Sequence, residues 1–285
     1  MMDAAAYIRR TMRPMCPLPT GLAPHLPSLE GIAAVVFDIY GTLIISAAGD
    51  IDAAADDERE VDSILDEFGV SPVYFDELYR SAMKRHQDAR RLHGVTYPEV
   101  EIREVWAEIL ESLCLTPGDA DAIEEVALRY ECGKNPVWAM PGSGRAIRAI
   151  HASGKKLGIV SNAQFYTLPV IEGLFGASLE GMGFDPELQV FSYREREGKP
   201  SRRLYECLAE RADRMGLAPA AIFYLGNDIT KDVLPARELG FRTGLFAGDA
   251  RSLRLGGLSG DEATATADAV ITDLAQLPGL FHIPA

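Results

Sequence analysis

The sequence predicts a parallel α/β protein whose sheet is interrupted, after its first strand, by a block of helices. Three observations predict it. Five short apolar runs are unbroken by charge, amphipathic helical patterns separate most of them, and one long stretch between the first two runs holds no strand-like segment. Each element follows from its own residues.

Ile32-Ala33-Ala34-Val35-Val36-Phe37 is apolar throughout and stops abruptly at Asp38. Short continuous runs of this kind fit a parallel strand buried on both faces. Lys156-Leu157-Gly158-Ile159-Val160 stops at Ser161, and Ala221-Ile222-Phe223-Tyr224-Leu225 stops at Gly226. Arg242-Thr243-Gly244-Leu245-Phe246 and Ala269-Val270-Ile271 complete the series. Helical patterns cover Gly142–Ser153, Phe165–Phe175, Ser201–Met215 and Ile229–Leu239. This alternation predicts right-handed crossovers in a parallel sheet. Ligands in such sheets bind beyond the carboxyl ends of the strands. Asp38, Ser161 and the turn Gly226–Asp228 are therefore expected to converge in one crevice.

The strandless stretch runs from about residue 48 to 138. Its helical patterns are Asp57–Phe68, Ser71–Leu92, Glu99–Leu113 and Pro117–Cys132. Pro72 and Pro117 stand near helix starts, where proline is tolerated, and Gly69 and Gly94 stand near ends, where a left-handed cap is common. A crossover needs only one helix, so 48–138 reads as an inserted domain on a core of 31–47 and 139–285. Trp106 is expected in the core of the insert and Trp138 at its junction. The acidic run Asp50–Glu60 reads as solvated loop or a first helical turn. Residues 1–30 are Pro-rich after a short helix at Ala4–Met12 and read as a flexible or loosely docked extension.

Composition narrows the function. The 285 residues are 47% hydrophobic and 25% charged, which excludes a disordered chain, a collagen-like fibre and a coiled coil. No run approaches the roughly 20 apolar residues that span a bilayer. The net charge of -14 argues against nucleic acid and anionic membranes as partners. It also means that a site for an anionic substrate needs its own positive groups. Cys16, Cys114, Cys132 and Cys207 have no metal-binding spacing and read as idle thiols. With no apolar leader ahead of a cleavage site, a cytoplasmic enzyme is expected.

The chemistry lies at the strand ends. An aspartate closing a buried strand before a Gly-Thr turn, as in Phe37-Asp38-Ile39-Tyr40-Gly41-Thr42, presents a carboxylate beside exposed N–H groups. In order along the chain follow Ser161-Asn162, Gly198-Lys199-Pro200 and Gly226-Asn227-Asp228-Ile229-Thr230-Lys231-Asp232. This ordered set resembles the four motifs of the haloacid dehalogenase superfamily of hydrolases. The resemblance covers residues 32–285 and implies a Rossmann-like core, an α-helical cap in place of the insert, and Asp38 as a nucleophile forming a covalent intermediate. It also implies that Ser161 and nearby N–H groups hold an anionic oxygen, that Thr42 bonds within the nucleophile loop, and that Lys199 neutralises crowded carboxylates.

The departures sort the reactions. In the phosphatases of that superfamily a second aspartate, two residues after the nucleophile, serves as general acid. Here the position is Tyr40, and Asp-x-Tyr-Gly-Thr is similar to the L-2-haloacid dehalogenases, whose halide leaves without a proton. Lys199-Pro200 followed by Tyr205 resembles their lysine and tyrosine arrangement. Leu78-Tyr79-Arg80 resembles their substrate-binding arginine segment, with Arg80 as a carboxylate clamp. The same arginine also fits a solvated basic helix face. Asn227 stands where a Mg²⁺-dependent member carries aspartate, yet Asp38, Asn227 and Asp228 would still offer oxygens to Mg²⁺. Asp228 and Ile229 depart from the dehalogenase pattern in turn.

Three readings stay open: a dehalogenase-like enzyme without a cofactor, favoured; a Mg²⁺-dependent phosphatase; and a binding protein that has lost turnover. Asp232 belongs to the catalytic set in the first two. The substrate is expected to be a small anion, and a homodimer is compatible with the sequence. Pro141-Gly142-Ser143-Gly144 reads as a helix opening, and Gly248-Asp249 with Arg251 and Arg254 as a surface loop.

Overall fold

A computed structural model describes residues 2–48, 58–115 and 120–284. The chain starts with α1 (Ala4–Thr11) and enters β1 (Ala34–Phe37) and β2 (Ile44–Ser46). Four helices follow: α2 (Glu58–Glu67), α3 (Pro72–Leu92), α4 (Ile102–Ser112) and α5 (Ala120–Lys134). Then come β3 (Val137–Ala139), α6 (Ser143–Ala152), β4 (Lys156–Ser161), α7 (Thr167–Phe175) and β5 (Phe184–Phe191). The last third holds α8 (Ser192–Glu195), α9 (Arg203–Arg214), β6 (Ile222–Gly226), α10 (Leu234–Glu238), β7 (Arg242–Phe246), α11 (Gly260–Thr266), β8 (Ala269–Ile271) and α12 (Leu277–Leu280). The predicted starts at Asp57 and Pro117, and most of the acidic run, lie outside the described residues.

Six strands form one parallel sheet in the order β5-β4-β1-β6-β7-β8. The chain leaves β1 toward β4 and β5, then returns across it to β6. That reversal makes β1 the switch point, and the crevice opens above its carboxyl end. Side chains of β1 alternate between two cores. Val35 and Phe37 pack with α6 and α7, whereas Ala34 and Val36 pack with Leu204, Tyr205 and Leu208 of α9. β5 was not predicted. Its first half carries Asp185, Pro186 and Glu187 and is partly exposed, as a sheet edge allows.

The helical cap stands on a short antiparallel ribbon in which Ile45 pairs with Trp138. Ser46 Oγ fastens the ribbon to Asn135 Oδ1 at 2.8 Å. Trp106 is fully buried, its ring 5.1 Å from Phe75 and 5.3 Å from Tyr130. Gly69 and Gly94 end their helices with φ of +74° and +83°.

The extension is not loosely docked. Ile8 of α1 is fully buried against Gly173 of α7, where a Cβ would lie 2.6 Å from the Ile8 Cβ. Further on, Leu18 N–H donates to Asp249 Oδ1 at 3.1 Å and His25 forms an antiparallel bridge to Val270. An apolar helix face beside a glycine gap holds the arm, and neither property shows in its proline content. No helix among the described residues is long and apolar enough to cross a membrane.

Candidate active site

Phe37 sits level with Ile159 and Leu225 on the neighbouring strands, so Asp38 emerges between β4 and β6. Its carboxylate is buried, 6% exposed. Oδ1 accepts Ser161 Oγ–H at 3.0 Å and Lys199 Nζ–H at 2.7 Å. Both bonds go to Oδ1, and among the described residues Oδ2 has no protein donor. Gly41 makes this turn possible, with φ of +80° and Ser252 Cβ only 2.5 Å from where its Cβ would be.

Lys199 is the hub. Its three ammonium hydrogens go to Asp38 Oδ1 at 2.7 Å, Asp232 Oδ1 at 2.7 Å and Tyr224 OH at 2.8 Å. An ammonium has three donors, so this one is saturated. Asn162 brackets its backbone: Oδ1 accepts the Lys199 N–H at 2.7 Å. Burial works against the charge on Lys199, but Asp232 and Asp38 outweigh it and raise the amine above its usual value. Burial pushes Asp38 up to about 6; Lys199 opposes this and Asp232 adds to it. One cation between two carboxylates leaves a single net negative charge in a buried cluster.

The fourth motif folds as a wide turn. Ile229–Val233 is a π-helical turn, a form that recurs at functional sites. Asp228 Oδ1 caps it, accepting Thr230 N–H at 2.7 Å and Lys231 N–H at 2.9 Å. Asp232 then folds back, and its Oδ2 accepts Asp228 N–H at 3.0 Å. Gly226 leaves the room, because a Cβ there would lie 2.4 Å from Asp232 Cγ. Gly226→Ala is expected to displace Asp232 and cost about 1–3 kcal/mol. Thermal melting checks it, and an unchanged midpoint would show that the turn yields.

Several candidates behave differently from expectation. Thr42 bonds within its own loop through its backbone N–H, which donates to Ile39 O at 3.1 Å, and its Oγ1 reaches beyond the loop to donate to Asn227 Oδ1 at 3.1 Å. Asn227 is engaged at both ends, its Nδ2 donating to Ser252 O at 2.6 Å. Tyr205 is fully buried and does not face substrate; its hydroxyl donates to Lys231 O at 2.6 Å and steadies the turn. Arg80 is not brought to the crevice. Its side chain is 79% exposed and faces Asp76 at 3.7 Å. Tyr40 lines the pocket, with its hydroxyl 3.0 Å from Thr167 Oγ1 and its phenol held well above the usual value by burial.

The reading of residues 248–254 as surface loop is also corrected. Asp249 and Ser252 are buried, and Arg254 lines the pocket. Ser252 contacts reach back to Gly41, 211 residues earlier in sequence. Tyr224, Lys231, Ser252 and Arg254 complete the site, and the sequence alone assigned none of them to it. For Lys231 the cue was present, one residue before Asp232.

The catalytic pocket is small, about 40 Å³, lined by Asp38, Tyr40, Lys199, Asp228, Asp232 and Arg254 among others. A second chamber of about 240 Å³ adjoins it under the cap. A larger cavity of about 720 Å³ lies between α1, α5 and α7 and holds none of the motif residues, so size does not mark the site here.

Mg²⁺ takes hard oxygens and is often held by one or two carboxylates plus substrate phosphate. Among the described residues Asp38 Oδ2 and Asp228 Oδ2 have no protein donor, and both meet that requirement. Asn227 Oδ1 already accepts from Thr42 Oγ1 and keeps one lone pair, so it offers only a neutral and partly engaged oxygen. Among the described residues, no three His, Cys, Asp or Glu side chains form a metal-holding group.

The model of the haloacid dehalogenase-like hydrolases matches residues 32–240, a span that contains Asp38, Ser161, Lys199 and Asp232. The chain belongs to that family. This hydrolase is similar in fold to the 2-haloacid dehalogenase from Pseudomonas syringae pv. Tomato DC3000, with TM-score 0.55 and 20% identity over 87% of this chain and 97% of that one. It is similar to a defluorinating L-2-haloacid dehalogenase at TM-score 0.53 and 19% identity, covering 90% and 99%. It is also similar to an HAD phosphatase from Thermococcus onnurineus at TM-score 0.50 and 18% identity, covering 87% and 97%. No curated protein matches the chain by sequence. Likeness at these identities speaks to the fold of the hydrolase, and its own residues must argue for the reaction.

Proposed function

We propose that this hydrolase displaces a halide from a small anionic molecule through an ester on Asp38, as a 2-haloacid dehalogenase does. The observation that carries this reading is Tyr40. An alkoxide leaving group gains about 10²–10⁴ in rate from a positioned acid. The residue two after Asp38 is a phenol that burial makes a poorer acid still, and its hydroxyl faces Thr167. A halide needs no proton, so its departure loses nothing.

Asp38 Oδ2 attacks the carbon, the carbon–halogen bond breaks and the halide takes its electron pair. Oδ1 then becomes the ester carbonyl oxygen. Water attacks Asp38 Cγ, and negative charge develops on Oδ1. Ser161 Oγ and Lys199 Nζ already stand at 3.0 and 2.7 Å from Oδ1, the distances at which donors stabilise such an oxyanion. Asp232, lining the same pocket, is placed to take the proton from water. Asp232 returns that proton to the alkoxide oxygen as the ester C–O bond breaks, the alcohol leaves, and the new carboxyl gives its proton to solvent, which restores Asp38 as a carboxylate. Lys231 and Arg254 line the pocket and supply local positive charge within a chain of net charge -14.

The second reading is supported by the two donor-free oxygens, Asp38 Oδ2 and Asp228 Oδ2. These residues would hold Mg²⁺, which when bound neutralises a phosphoryl group. Two assays separate the readings: chloride release from 2-chloropropionate in EDTA, and phosphate release from p-nitrophenyl phosphate with Mg²⁺. Chloride release supports the proposal. Phosphate release without chloride release overturns it, and a ligand that binds at Asp38 without either product being released supports a binding protein.

The active nucleophile is the carboxylate. With Asp38 at about 6, kcat/KM is expected to fall about ten-fold per pH unit below that value and level off above it. A pH–rate profile flat down to pH 4 contradicts this assignment.

A further inference from the structure

The chamber under the cap is built for something larger than the reacting carbon. Its volume of about 240 Å³ is room for several water-sized groups beyond the catalytic pocket. The two share Asn162, Lys199 and Lys231, so they form one continuous crevice. From the cap, Met83, Gln87 and Arg91 line it on one face of α3, four residues apart. Arg80 falls on that same face, but further from the core end.

The lining is polar and cationic. Arg91 donates through Nη1 to Asp88 at 2.8 Å, and among the described residues its other guanidinium N–H groups have no bond. Among the described residues the side chains of Gln87, Thr96 and Tyr97 have none either. Lys231 adds a second cation at the mouth of the catalytic pocket. The single acid in the lining, Glu99, is turned to internal donors: Oε1 accepts from Val100 N and Gln164 Nε2, and Oε2 accepts from Ser192 Oγ. Arg91 therefore turns unengaged N–H donors to the chamber, while its one carboxylate is bonded to internal donors.

We propose that this chamber is a second subsite, for an anionic group at the far end of the substrate, with Arg91 as its principal contact. The inference rests on the reading of Asp38 as the reacting group and extends it: the substrate is a diacid, its second anion a carboxylate or a phosphate. A short monoacid fills only the catalytic end.

The test compares two probes of equal length, 2-hydroxyadipate and 2-hydroxyhexanoate, which differ in the distal carboxylate. Calorimetric binding to the whole protein is expected to favour the diacid by on the order of ten-fold or more. Arg91→Gln is expected to remove that preference, and 2-hydroxy-5-phosphonopentanoate in place of the adipate reports whether phosphorus oxyanions fit equally. Arg80→Gln, solvent-exposed on the cap, is expected to keep it. Equal affinity for both acids, binding of neither, or a preference that survives Arg91→Gln overturns the subsite. Chloride release from 2-chloropropionate and 2-chloroadipate is read separately. Diacid preference without chloride release keeps the subsite and removes the dehalogenation reading. Chloride release from both at equal kcat/KM does the reverse.

Discussion

Asp38→Asn is expected to reduce turnover by at least about 10³-fold while leaving the protein folded. An amide is a poor nucleophile, and losses on removing a nucleophile commonly reach that size. The substitution keeps the shape of the side chain, so Ser161 Oγ and Lys199 Nζ still find an acceptor at Oδ1. Lys199 also keeps Asp232 and Tyr224. The melting point should therefore move by little, and could rise at neutral pH. Asp38 is a carboxyl that burial raises to about 6, so ionising it in the fold opposes stability. The sign follows from linkage. Between the unfolded value near 4 and the folded value near 6 the native state binds more protons, so native stability declines as pH rises through that window. The Asn variant lacks this decline. Residual turnover within ten-fold of wild type would mean that the hydrolase does not react through Asp38.

Much of this site was legible before any coordinates, for a physical reason. A parallel strand buried on both faces must be apolar, so its first polar residue marks the sheet edge and points into the crevice. Asp38, Ser161 and the Gly226 turn were all found that way, and Lys199 by its motif. What was not legible depended on distance along the chain or on register. Arg80 and Arg91 share a helix face, and periodicity cannot say which turn of α3 reaches the core. Ser252 and Arg254 are fixed by Gly41 and Asn227, far away in sequence. The π turn carries no compositional signature, yet it lets Asp228 cap the turn while Asp232 reaches Lys199. β5 was hidden by the charges that an edge strand tolerates, and the docking of α1 by a glycine gap on α7.

Lys199→Met is expected to damage both stability and chemistry, and to do so in a pH-dependent way. The wild-type cluster holds two buried carboxylates around one ammonium that is itself only 6% exposed. Removing one partner from a buried ion pair costs about 3–5 kcal/mol, because the remaining charges stay buried without compensation. At roughly 2–4 °C per kcal/mol, the melting point should drop by a readily measured amount. The deficit should shrink in acid. With the ammonium gone, nothing opposes the burial that already raises Asp38, so the folded carboxyl titrates still higher. The folded state then binds more protons than the unfolded chain over a wider range, and stability falls as pH climbs from about 4. Melting curves of the variant and wild type at pH 4.5 and 7.5 test this directly: the gap should be larger at 7.5. Turnover should fall by about 10²–10³-fold through loss of the stronger of the two donors on Oδ1. Lys199→Arg should not rescue it. A planar fork cannot reach Asp38, Asp232 and Tyr224 from one nitrogen, and the pocket of about 40 Å³ has no room for the larger head. A variant equally stable at both pH values would place the compensating charge elsewhere and dissolve the argument that Lys199 is the hub.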